Sequence, residues 1–488
     1  MLMTGQEYLD SIKDGRRIYV GSELVRDVTT HPAFRNAAGT IAMIYDRKRA
    51  PEQRDVMTFE EGGERFSAYY LLPRNRDDLH RRFETHRRIA SWTCGLIGRS
   101  PDNFPSYVSG LVMDPALFDS IRPGFGANIR SYYRHMRTRD AFVAHTVTNP
   151  QGWRAAAPGQ IDARTPPTLR IVAEDDQGVT INGLKMLGTS AVFCHETWCG
   201  NLQPVPPGRE AEAITCAVPL NAPGVSIWTR KPFERYALGA LDNPLSSRFD
   251  ETDSAVLFEH VKVPWERVFC TDNIEMSRAM YMRTPGHVMA NHQSNVRFLE
   301  KLKLTIGIAR KLADANNASQ IPAVQSTLGR LAAMQATLEG LIMGQIGCGE
   351  NWVNDYHTVN RRYVYAALHW CTNHHAQICD TVRELMGAGV FQMPADASVL
   401  DDPVLREKFE TYWSAPGQTA ADRMKLFRLA WDLLGSEFAG RHMQYEKFYA
   451  GPGFVMDAYS YQNGPWTEWT GIVDRLLAEM DAPPSTRT

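Results

Sequence analysis

The chain predicts a mainly α protein with a central β domain. Three observations carry that prediction: helix-period apolar text up to about residue 140, short β-branched runs between about 145 and 270, and helix-period text again beyond Pro285. At 488 residues it is long enough for several domains at roughly 100–200 residues each, and three are expected: 1–144, 145–272 and 273–488.

In the first segment Tyr8, Leu9 and Ile12 share a face, and Leu79, Phe83 and Ile89 recur near helix spacing between Pro73 and Pro101. From Leu169 the text LRIVAEDDQGVTINGLKML places two β-branched runs around an Asp-Asp-Gln-Gly turn, the pattern of a hairpin. Runs at 214–220, 224–230 and 254–263 follow, with Pro and Gly between them, so an antiparallel barrel or sandwich is expected. In 321–342 the residues Val324, Leu328, Leu331, Leu338, Leu341 and Ile342 repeat at three and four, which reads as a buried stripe of a C-terminal four-helix bundle with a tail. No internal repeat or low-complexity segment interrupts this order.

Composition narrows the partners. Lys+Arg 53 against Asp+Glu 55 gives a formal charge of −2 without a basic block, so neither nucleic acid nor an anionic membrane is expected. The start, MLMTGQEYLDSIKDG, has no apolar leader region, and no later run approaches the ~18 apolar residues of a membrane span, so a cytoplasmic protein is expected. Eight cysteines are scattered without a Cys-x-x-Cys pair and read as reduced packing residues, with no metal site.

Two polar residues stand where chemistry could sit. Arg99, in GLIGRSPDNF after an apolar run, is either a solvated loop charge or an anion clamp. His145, in AFVAHTVTNPQGWR, lies where the β domain begins and could face a cavity; a hydrogen-bonded core histidine is the competing reading. In GLKMLGTSAVF a strand ends in Gly188, Thr189 and Ser190, small residues that let backbone N–H and a hydroxyl approach a planar ring, or that simply end a strand. His195-Glu196 lacks the second histidine of a zincin helix, His374-His375 read as surface or packing residues, and Gly387-Ala388-Gly389 does not follow a strand.

The order of domains resembles the acyl-CoA dehydrogenase fold. The motifs THPAF (30–34), GRSPD (98–102), AHTVTNPQ (144–151), LKMLGTSAVF (184–193), FDETDSAVLFEHVKVPWERVF (249–269) and YEKFYAGP (445–452) resemble, more narrowly, the 4-hydroxyphenylacetate 3-monooxygenase large-component family. The resemblance implies a homotetrameric, two-component monooxygenase that takes FADH2 from a separate, transiently encountered NAD(P)H:flavin reductase. With O2 as co-substrate, a flavin C4a-hydroperoxide would place one oxygen ortho to a phenol, giving a catechol.

Arg99 and His145 then match the family's catalytic pair. The first would hold a phenolate, and the second would serve as hydrogen-bond partner or base with a pKa near its ordinary ~6.5. The substrate pocket implied by the resemblance adds Asn103, Phe104, Tyr107, Gln203 and Pro204. Flavin contacts carry over to His145, Thr146, Val147, Gln151, Gly152, Trp153, Arg154 and Thr189, with Tyr449, Ala450, Gly451 and Pro452 from the C-terminal region. The run 204–213, PVPPGREAEA, is a candidate lid or a plain surface loop.

One departure bears on the substrate: Asn103 stands where the family pattern has a tyrosine four residues after the arginine, which points to a phenol larger than, or substituted differently from, 4-hydroxyphenylacetate. The rival readings share the fold. A 4-hydroxybutyryl-CoA dehydratase-like enzyme would need cysteine ligands beside His292, and the chain has no cysteine from 95 to 193 or 271 to 347. An acyl-CoA dehydrogenase-like enzyme would need a glutamate base, for which Glu437 or Glu446 would be nominated without a CoA motif.

Overall fold

The computed structural model describes residues 2–153 and 167–480. Helices open the chain as the periodicity predicts: Gly5–Ser11 begins on a capping box between Thr4 and Glu7, and Arg76–Trp92 buries Leu79, Phe83 and Ile89. Helix Asn103–Val112 is buried at all ten positions, because it lies between the N-terminal helices and the long helix Gly286–Ala315. Its Gly110 meets that helix backbone to backbone. A Cβ there would sit 2.3 Å from the Gly286 nitrogen.

The expected hairpin forms between Arg170–Asp175 and Gly178–Lys185. Its turn is set by Asp175, whose Oδ1 accepts from the N–H groups of Gln177 at 2.9 Å and Gly178 at 3.1 Å. The strands of the β domain lie in two sheets. One has six strands in the order Glu23–Val25, Ile18–Val20, Val225–Thr229, Ser254–Pro264, Gly178–Lys185, Arg170–Asp175; the other runs Val268–Cys270, Thr215–Pro219, Glu196–Cys199, Val143–Thr146.

The antiparallel expectation needs correcting at two pairings. Ile18–Val20 runs parallel to Val225–Thr229, and Val143–Thr146 parallel to Glu196–Cys199. Both come from segments distant in sequence from their partners, so no local turn dictates their direction. The N-terminal segment, expected to be helical, also contains the hairpin Thr58–Glu61 with Glu64–Ser67.

Helix Gly286–Ala315 packs against Pro322–Gly347, Arg361–Met386 and two N-terminal helices. Being surrounded, it buries His287, Asn291, His292, Gln293, Arg297 and Lys301 as well as its apolar residues. The stripe expected over 321–342 is buried only at Leu331, Leu338 and Ile342; Val324, Leu328 and Leu341 are partly exposed, because the outer end of Pro322–Gly347 extends past its neighbours.

Candidate active site

Arg99 sits in the turn that feeds helix Asn103–Val112. Its backbone N–H donates to Glu251 Oε2 at 2.8 Å, which ties the turn to the β domain. Its guanidinium donates through one nitrogen to Asn103 Oδ1 at 3.2 Å and to the Tyr449 hydroxyl at 3.0 Å, and lies 4.3 Å from the Tyr449 ring centre. It is half-buried, and burial works against its charge, yet the surrounding tyrosines and Glu251 raise its pKa further above the usual range. A fixed cation results, not a solvated loop charge.

His145 belongs to strand Val143–Thr146, and its ring packs against helix Asn103–Val112 at Phe104 and Tyr107. Its ring centre is 4.4 Å from Tyr107, 5.6 Å from Phe104 and 5.9 Å from Tyr281. Trp198 closes the wall, 5.4 Å from Phe104 and donating to the Tyr281 hydroxyl at 2.8 Å. The Nε2 of His145 is buried without a hydrogen-bond partner. An unpaired buried nitrogen costs about 1–3 kcal/mol, which a bound polar ligand would recover.

The expectation of an ordinary pKa for His145 is overturned. Burial, the Arg99 charge and His287 push it well below the usual imidazole range, so the ring is neutral. Arg99 contacts Asn103 and His145 contacts Tyr107; these two positions are four residues apart on one helix. The cation and the imidazole therefore contact one face of that helix at positions one turn apart, close enough for the Arg99 charge to act on the ring.

Thr146 is fully used inside the protein: its hydroxyl pairs with that of Thr197 at 2.8 Å. Val147 is buried next to it, and Gln151 and Gly152 lie exposed beyond in a short turn that includes the Trp153 backbone; Arg154 is outside the described residues. The turn Leu187 to Ser190 abuts Thr146, since a Cβ on Gly188 would lie 3.1 Å from its methyl group. Within it Leu187 and Ser190 adopt positive φ, 60° and 63°, and the Ser190 hydroxyl is buried without a partner. His145 Nε2 and Ser190 Oγ are thus two unpaired buried polar atoms on adjoining segments: the Ser190 hydroxyl fits the polar edge of a flat heterocycle such as a flavin, and the imidazole nitrogen is left for a hydrogen bond to a second ligand.

Thr189 Oγ1 donates to Asp253 Oδ1 at 2.8 Å, and this carboxylate anchors a clamp that sequence reasoning missed. Arg441, on helix Glu437–Phe448, donates to both oxygens of Asp253 at 2.6 and 2.8 Å and to Glu251 Oε1 at 2.7 Å. Burial opposes ionisation of Asp253, but Arg441 and Arg230 together hold its carboxyl well below the carboxylate range. Glu251 and Asp253 alternate ahead of a strand in FDETDS, the one local hint available; nothing around Arg441 marks it.

Other expectations fare differently. Asn103, expected to meet the substrate, is bonded within the protein: Oδ1 accepts from Arg99, and Nδ2 donates to Gln293 Oε1 at 2.9 Å and to Tyr449 at 3.3 Å. Tyr449 sits on Arg99, on the phenol side, while Ala450, Gly451 and Pro452 are half-buried beyond it. Gln203 is half-buried and Pro204 exposed; among the described residues neither makes a recorded hydrogen bond to Arg99 or His145. Segment 204–213 is pinned by the buried Arg209–Glu212 ion pair at 2.7 Å.

Of the rival residues, Glu446 is buried and bonded to Arg297 and Lys301 at 2.8 and 2.9 Å, so it is no free base, and Glu437 is exposed on Lys231. His292 Nδ1 is held by Gln345 at 2.6 Å, and no cluster of metal-ligating side chains occurs among the described residues. A cavity of about 670 Å3 between Leu2, Arg49, Arg54 and Arg65 contains none of the expected site residues.

Comparison with known proteins shows the family. Residues 4–270 match the family model described as 4-hydroxyphenylacetate 3-hydroxylase N terminal, and 277–478 match its C terminal counterpart. The chain is 32% identical to the pyoverdin chromophore biosynthetic protein PvcC of Pseudomonas aeruginosa over 98% of its length and 96% of that protein's. It is 28% identical to the 4-nitrophenol 2-monooxygenase oxygenase component of a Rhodococcus species, covering 99% and 94%.

Among solved structures, the oxygenase component of 4-hydroxyphenylacetate 3-monooxygenase complexed with FAD and 4-hydroxyphenylacetate superposes with a TM-score of 0.92 at 27% identity, covering 98% of this chain and 99% of that one. An archaeal 4-hydroxybutyryl-CoA dehydratase shares the fold, with a TM-score of 0.87 at 17% identity over 99% and 96% of the two chains. The chain belongs to the 4-hydroxyphenylacetate 3-hydroxylase family.

Proposed function

We propose that the protein is the oxygenase component of a two-component, FADH2-dependent monooxygenase that hydroxylates a phenol ortho to its hydroxyl. The observation that carries this reading is the placement of the Arg99 cation and the unpaired Nε2 of His145 about one turn apart on a single buried aromatic helix face. In this reading Arg99 binds the phenol oxygen and stabilises its negative charge, which makes the ring electron-rich. His145, kept neutral, accepts the hydroxyl proton in a hydrogen bond without holding that proton at rest.

Phe104, Tyr107, Trp198 and Tyr281 orient the ring and keep water out. FAD would be held by His145, Thr146, Val147, Gln151, Gly152 and Thr189, with Ala450, Gly451 and Pro452 closing from the helical side. Reduced flavin, when bound, supplies the electrons that activate dioxygen, one atom entering the ring and the other leaving as water.

The reductase is a separate protein that delivers reduced flavin by diffusion. The family resemblance implies a homotetramer, and self-association is supported by helix Trp466–Met480, which buries none of its residues yet presents Trp469, Ile472, Val473 and Leu476 to solvent. Among the described residues no helix is long and apolar enough to cross a membrane; the reading places the enzyme in the cytoplasm with its reductase. The test is a panel of phenols incubated with a generic flavin reductase and analysed by mass spectrometry. Gain of one oxygen by any phenol supports the reading, and no gain across the panel refutes it.

A further inference from the structure

Tyr449 already occupies the place a phenol would take. Its oxygen accepts from Arg99 at 3.0 Å and from Asn103 Nδ2 at 3.3 Å, and its own proton is directed to the Gly98 carbonyl at 3.4 Å. A phenol oxygen between a guanidinium and a carboxamide is the arrangement that would recognise a phenolic substrate, and here the chain's own side chain provides it. Asn103 is part of the device, because its amide spends one N–H on this hydroxyl and fixes the other on Gln293.

Tyr449 also lies at an element end. It follows the last residue of helix Glu437–Phe448, and Gly451, two residues on, has φ 118°. A Cβ on Gly451 would meet nothing closer than 3.5 Å, so the backbone has room to turn there.

Resting on the phenol-hydroxylase reading, we propose that Tyr449 is a specificity-determining residue that competes with the substrate for Arg99 and Asn103, setting a cost that every phenol must meet and that acidic phenols, which ionise most readily on Arg99, meet best. A neutral phenol that displaces the tyrosine hydroxyl regains the same two bonds and nothing more. A phenolate gains a charge-assisted bond to Arg99, about twice as strong as the neutral one it replaces. Electron-withdrawing substituents on the ring, which favour ionisation near neutral pH, are therefore selected.

The experiment titrates phenol, para-chlorophenol, para-cyanophenol and para-nitrophenol into the full chain and into Y449F at neutral pH, following binding by near-ultraviolet difference absorbance. For the wild type, affinity is expected to rise about tenfold or more from phenol to para-nitrophenol. In Y449F, which frees every phenol from the same competitor, all four are expected to bind more tightly by a similar factor of about tenfold, with the slope kept. The proposal is overturned if wild-type affinity is independent of acidity, if Y449F binds phenol no more tightly than the wild type, or if neither form binds any phenol. Failure of the hydroxylase reading is seen separately, as the absence of oxygenated product from every phenol with reductase present.

Discussion

Replacing Arg441 by methionine tests the clamp that joins the C-terminal helices to the site. The side chain makes three charged hydrogen bonds between 2.6 and 2.8 Å, and its removal leaves Glu251, 1% exposed, with only the Arg99 N–H, while Asp253 keeps Arg230 and Thr189. Stripping one partner from a buried ion pair costs about 3–5 kcal/mol. The partners that remain place this case near the lower end, about 3 kcal/mol. With an unfolding entropy of ~2.1 cal/mol/K per residue, 488 residues give about 1.0 kcal/mol/K, so the melting temperature should fall by about 3 °C if the chain unfolds cooperatively.

The sign with pH is also set. A carboxylate whose folded pKa is lowered, as for Asp253, contributes stability at neutral pH that is lost as pH falls through that folded value. Without Arg441 the Asp253 carboxyl moves back toward its ordinary ~3.9, so the deficit of R441M should hold at neutral pH and narrow as pH falls below about 4, between about pH 7 and pH 3.5. Differential scanning calorimetry at the two pH values reads both effects. A loss below about 1 °C, or a deficit that widens on acidification, would refute the reasoning.

The buried histidines predict acid sensitivity. His195 is pushed down to about 4, and His287, His292 and His375 to about 3, in each case by burial first. Because the unfolded chain binds these protons first, stability is complete above about pH 6.5 and falls by about 1.4 kcal/mol per unit for each histidine as pH drops toward the folded values. H292Q, which can keep the contact to Gln345, should lessen this slope by about 1.4 kcal/mol per pH unit in melts at graded pH, and an unchanged slope would count against it. H145F should lose about a hundredfold in product yield while melting within about 1 °C of the wild type, since it removes a buried nitrogen that has no partner. G110A should cost about 1–3 kcal/mol in denaturant unfolding, because its Cβ would meet the backbone of Gly286; an unchanged midpoint would contradict that close crossing.

Helical text was legible wherever one face is buried, as at Leu79, Phe83 and Ile89, and the hairpin was legible because Asp175 writes its turn locally. Parallel pairing of Ile18–Val20 with Val225–Thr229 was not, since a short strand says nothing about a partner some two hundred residues away. At the site, Arg99 and His145 stood out because a cation and an imidazole interrupt apolar runs. Gln293 and Arg441 look like ordinary helix residues, and only tertiary packing brings them to the site. The same packing ties the Asn103 amide to Arg99, Gln293 and Tyr449, and takes His145 far from its solution pKa.

The central claim is that Arg99 and His145 together prepare a phenol for oxygen insertion. It is tested most directly by supplying reductase, flavin, a phenol and isotopically heavy dioxygen to the wild type and to R99A and H145A, and weighing the product. The account predicts a product carrying one heavy oxygen atom from the wild type and a loss of that product in both variants, with the fold intact by circular dichroism. Product formed at the wild-type level by either variant, or a product whose new oxygen comes from water, would contradict it.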